Sequence, residues 1–210
     1  MHDGITWIAH SNISWLGYCI TLARGMEPEE LVRRLAGEKA PAPLGQRTAA
    51  ELERYLSQRD QERGNAGTIA VRYGAVADLA FAIADGHWPG EMDLGISDGL
   101  SQDGAHVFRL YYEKENPKLP PPTFSYFHDG RYMCGFDMYM YTWSVEITGA
   151  HPGLVKEAVL TAGIPGETER DVAHTKSLAI VENQFQLTLP RGQVLDEALP
   201  TALIRGQTAG

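Results

Sequence analysis

The sequence predicts an α+β protein, a mainly antiparallel β-sheet packed by several α-helices. Three observations carry that reading. Apolar residues recur at helical spacing from Pro28 to Ala36 and again after Pro152. Between them, from Gly67 onward, the apolar period changes to two. The order is a strand, then helices, then several strands, then helices, and such segregation marks α+β rather than an alternating chain. At 210 residues the chain suits one domain and can bury a core without disulfide staples. Residues 1–210 read as a single α+β domain, with a C-terminal helical element at about 168–204 and a frayed tail at 205–210.

Taken in order, Gly17–Arg24 alternates and is rich in β-formers, which predicts a strand. In "GMEPEELVRRLAGE", Pro28 sits in the first turn, Glu29 and Glu30 at the positive end and Arg33 and Arg34 at the negative end. Leu31, Val32 and Leu35 make the apolar stripe, and Gly37 stops the helix. "EKAPAPLGQR" reads as a linker from its Pro and Gly. A second, exposed helix follows, with Thr48 and Glu51 at capping-box spacing and Gly64 at its end. "TIAVRYG" and "VADLAFAIADG" read as adjacent strands turning near Gly74. Residues 93–104 form a polar loop, "HVFRLYYEKE" another strand, and "NPKLPPP" a loop that no sheet interior accepts.

"TFSYFHDGRYMCGFD" places Asp129-Gly130 between two alternating aromatic runs, a β-hairpin turn that needs positive φ at both central residues. Carried past Phe136 as an extended strand, it sets Tyr139, Tyr141 and Trp143 on one face and Met138 and Met140 on the other. "GAHPGLVKEAVLTAGIPGE" predicts a helix from Pro152 to Gly163, and a further helix runs from about Glu169 to Asn183. "LTLPRGQVLDEALP" reads as a short strand or turn followed by a short helix.

Composition narrows the function. Eighteen basic residues face twenty-seven acidic ones, a net charge of -9, and Lys and Arg form no stripe, which argues against a nucleic-acid partner. Gly4–Ala23 lacks charge, but His10, Ser11, Asn12, Ser14 and Thr21 make it too polar for a bilayer core. No membrane anchor and a cytoplasmic location are expected. Two cysteines, Cys19 and Cys134, are too few for a disulfide framework and are expected to be buried free thiols.

Three blocks together resemble a known family. "SWLGYCITLARGMEPEELVRRLAGE" is similar to the opening of an uncharacterised actinobacterial family known only as a domain of unknown function. "FSYFHDGRYMCGFD" is similar to its Phe-Ser-Tyr…Asp-Gly…Phe hairpin, and "GAHPGLVKEAVLTAG" to its Pro-initiated, Gly-terminated helix. The resemblance implies an α+β fold and a bacterial cytosolic setting. It carries no activity, so it assigns no catalytic residue.

The residues point to no catalytic set, no metal and no cofactor. There is no Gly-x-Ser-x-Gly elbow, no phosphate loop, no dinucleotide fingerprint and no paired metal-ligand motif. Cys134 with His128 and Asp129 forms a nucleophilic set only if hairpin register brings them to one face, and a core thiol is the plainer reading. His87, His106 and His128 flank strands or turns where they could converge. Asp78, Asp85 and Glu113 sit near strand ends, where acids are ordinarily solvated. The surplus of Tyr and Met leaves Tyr139, Tyr141, Trp143, His128 and Asp129 as the candidate partner- or ligand-binding residues. The expected function is a cytosolic protein-binding accessory, signalling or immunity-type module with an acidic surface and an aromatic sheet face. The alternatives are an enzyme of unrecognised type, such as a hydrolase using His128 and Asp129, and a small-ligand binder with an aromatic-lined pocket.

Overall fold

The computed structural model describes residues 3–11, 17–63, 69–86, 98–112, 122–140, 146–164 and 169–205. Among them lies one sheet of eight strands: β1 (Tyr18–Arg24), β2 (Ala42–Arg47), β3 (Ile69–Val76), β4 (Leu79–Gly86), β5 (His106–Tyr112), β6 (Thr123–His128), β7 (Arg131–Asp137) and β8 (Leu199–Arg205). The strands lie in the order β2-β8-β3-β4-β1-β5-β6-β7, and every neighbouring pair is antiparallel. The helices are α1 (Pro28–Ala36), α2 (Ala49–Arg63), α3 (Gly153–Thr161), α4 (Arg170–Phe185) and α5 (Arg191–Leu195). The α+β expectation holds.

Strand alternation divides the apolar side chains between two faces, with most of the aromatic rings on one. Tyr18, Ile20, Leu22, Phe81, Phe108, Phe124, Tyr126 and Phe136 build the first face. They pack against Val155 and Val159 of α3, Leu178 and Val181 of α4, Val194 of α5, Ile8 of a 3-10 turn at Thr6–His10, and Ile5 just before that turn. The second face presents Cys19, Ala23, Ala80, Ala82 and Ala84, over which α1 lays Leu31, Val32 and Leu35. Three alanines of β4 leave room for a helix at close range. Leu52 and Leu56 of α2 cover Ala70 and Leu203 in a smaller cluster.

Local signals place the helices well. α1 has Pro28 at its start, acids in its first turn, bases in its last, and Gly37 at φ 70 beyond it. Arg33 and then Arg34 hydrogen-bond Glu30 and hold its carboxyl down to about 2. The α2 capping box is closed: Thr48 N–H donates to Glu51 Oε2 at 2.9 Å and Glu51 N–H to Thr48 Oγ1 at 3.3 Å.

Four expectations about elements are corrected. "APLGQR" is not linker but the edge strand β2, which tolerates Pro43 because an edge strand has free margins and bulges at Gly45, φ 77. The β3–β4 turn falls at Ala77-Asp78, not near Gly74; Gly74 is needed because a Cβ there would meet the Phe81 ring at 2.9 Å. The helical element at 168–204 ends in a strand, since Leu199–Arg205 enters the sheet between β2 and β3. Finally, β7 does not run on past Asp137. The Asp137 carboxylate accepts the Tyr139 N–H at 2.8 Å and Met140 takes φ 55, so the chain turns. Met138, Tyr139 and Met140 all enter the core, and the two-face strand does not exist there.

The outer margin of β7 is occupied. Gly135 and Thr148 exchange backbone hydrogen bonds of 3.1 and 3.0 Å, and His151 N–H donates to Met133 O at 2.7 Å. Gly149, φ 106, lies so close to β7 that a Cβ would sit 2.5 Å from Met133 O. Among the described residues no helix is long and apolar enough to cross a membrane.

Leu31 is wholly buried between α1 and the sheet. Leu31→Ala is expected to lower unfolding free energy by about 3 kcal/mol in a urea titration. A loss under about 1 kcal/mol would mean that α1 does not pack as described.

Candidate functional site

Two polar clusters stand at opposite ends of the first sheet face. One gathers around Tyr18, the first residue of β1, which lies beside Tyr112, the last of β5, with ring centres 5.9 Å apart. From above, α4 contributes His174. The Tyr18 hydroxyl and His174 Nε2 share a hydrogen bond of 2.6 Å. One turn on, Ser177 Oγ donates to Met138 O at 2.7 Å and holds the turn after β7 beneath the helix. That turn brings Tyr139 edge-on to His174 at 6.2 Å, under the Arg170 guanidinium at 5.8 Å.

Burial governs the protonation of this cluster. It raises Tyr18 well above its usual range, with Tyr139 and Tyr112 adding to it, and it raises Tyr139 likewise. Burial, and then the charge of His10, push His174 down to about 4. At neutral pH Tyr18, Tyr139 and His174 are therefore uncharged. The Tyr18–His174 and Ser177–Met138 hydrogen bonds tie α4 to β1 and to the turn after β7.

The other cluster lies at the hairpin end. Asp129 and Gly130 have φ 47 and 73, the two left-handed residues predicted for the β6–β7 turn. The turn is pinned: Asp129 Oδ1 accepts the Gly104 N–H at 3.0 Å, and Gly130 N–H donates to Ser101 Oγ at 3.0 Å. His106 and His128 oppose each other across β5 and β6, with rings stacked at 4.0 Å and 9°. His106 Nδ1 is 2.7 Å from the Tyr126 hydroxyl. Burial first, then His128 and Arg24, hold His106 below its ordinary pKa. Arg24 donates to Asp78 Oδ2, Phe185 O and Gln186 O, each at 2.7 Å, and so caps the C-terminus of α4.

These positions decide among the residues singled out in the sequence. Tyr139 is buried in the first cluster; His128 and Asp129 stand at the second. Tyr141, Trp143, His87 and Glu113 lie outside the described residues. His128 and Asp129 do not form a nucleophilic set with Cys134, because Cys134 opposes Tyr126 while His128 opposes Arg131. Burial also pushes the Cys134 thiol up to about 12. His106 and His128 do converge. Tyr18, His174 and Arg24 were missed. For His174 a signal existed: Ala173, His174, Ser177, Leu178 and Val181 form one helical stripe with two polar members, and a polar group on an apolar stripe needs a partner.

A shallow groove of about 690 Å³ runs beside α3 and α4. Leu154, Ala158 and Ala162 line it with apolar side chains, and Glu157, Thr161 and Gln184 with polar ones. Leu160 and Val172, exposed by 56% and 42%, sit on the same two helices.

Two measurements check these assignments. His174 titrates near 6.5 when unfolded and near 4 when folded. The unfolded state therefore takes up the proton first, and the stability His174 contributes is full above about pH 6.5 and lost as pH falls toward 4. Between pH 7.5 and 5 the loss from this residue is expected to be about 2 kcal/mol. In denaturant titrations His174→Gln should flatten that slope; a slope as steep as wild type would contradict the assignment. Both cysteines are free and buried, so thiol reagents should label native protein slowly and unfolded protein at once. Rapid native labelling would instead expose an accessible, acidic thiol.

Compared with known proteins, residues 2–189 match a family of unknown function, DUF6461. No curated protein and no solved structure matches the chain. The match takes in α1, the β6–β7 hairpin and α3, the three blocks whose resemblance the sequence had suggested, together with both polar clusters. The chain belongs to the family of unknown function DUF6461.

Proposed function

We propose that the chain is a protein-binding module of the accessory, signalling or immunity type, working in the bacterial cytoplasm and meeting its partner through the groove along α3 and α4. The observation that carries this is the groove itself. Small apolar side chains, Ala158 and Ala162, are part of its lining and leave space that larger side chains of a partner can fill. Leu160 and Val172 add exposed apolar surface on the same helices. The aromatic sheet face is not the contact surface in this proposal, because α3, α4 and α5 cover it. The net charge of -9 favours a partner with a basic face. Free, buried cysteines suit a reducing compartment.

Ala158 is exposed on α3, so Ala158→Arg fills the groove at a cost within about 0.5 kcal/mol. Quantitative cross-linking from native lysate is expected to recover a protein with wild type and lose it with Ala158→Arg, while the two melting temperatures agree within about 2 °C. Equal recovery by both proteins would defeat the proposal.

A further inference from the structure

We draw no further inference here: the strongest candidate, the side-chain cluster between the end of β2 and α2, where the Arg47 guanidinium lies 4.8 Å over the Tyr55 ring with no hydrogen-bond partner for its buried Nε and Arg59 Nη1 is 3.4 Å from the Tyr55 hydroxyl, carries nothing because nothing in the structure shows the two guanidiniums converging on a ligand.

Discussion

The seating of α4 on the first sheet face is the constraint from which the remaining architecture follows. Its apolar stripe supplies burial, but three polar attachments fix its position along the strands. At one end His174 meets the Tyr18 hydroxyl. At the other, Arg24 takes the last carbonyls of the helix. In between, Glu182 receives the N–H groups of Ile5 and Thr6 at 2.6 and 3.0 Å and the Thr6 hydroxyl at 2.9 Å, tying the N-terminal turn beneath the helix. Each is a partly or fully buried polar group whose loss would leave a partner unsatisfied, which is costlier than losing a surface bond. Both Tyr18 and Arg24 belong to β1, so a single strand sets where the helix begins and ends.

That seating explains why aromatic richness in β5–β7 did not become an open surface. The rings of Phe108, Phe124 and Tyr126 all lie within 5.0–5.5 Å of Phe185, at the end of α4. They form a sealed aromatic layer between sheet and helix, and the accessible apolar surface moves outward to α3 and α4. The two clusters at the ends of the layer differ in kind. One is enclosed, with Tyr18 and His174 almost entirely buried. The other is half-accessible and bears imidazoles beside charged side chains.

Legibility in the sequence follows sequence distance. α1 could be read from residue to residue because every signal lies within ten positions: Pro28, the acids after it, Arg33, Arg34 and Gly37. The capping box of α2 and the Asp129-Gly130 turn are equally local. β2 and β8 could not be read so. Pro43 and Gly45 argue for a linker until β8, more than 150 residues later, supplies the partner that makes an edge strand. Tyr18 and His174 are 156 positions apart, and only the helical stripe around His174 hinted that a partner was needed. Tyr139 was misplaced for a different reason: a short Asp137 side chain competed with the ladder and won.

The closure of the β7 margin by Thr148–His151 matters beyond the fold of one molecule. A sheet ordinarily offers two rails on which another chain can polymerise. Here one rail already carries its own backbone, and the other, β2, is short, interrupted by a proline and kinked by a glycine bulge. Neither presents the long straight row of donors and acceptors that seeds runaway fibre growth. Among the described residues, the eight strands thus leave little regular backbone for another chain to extend.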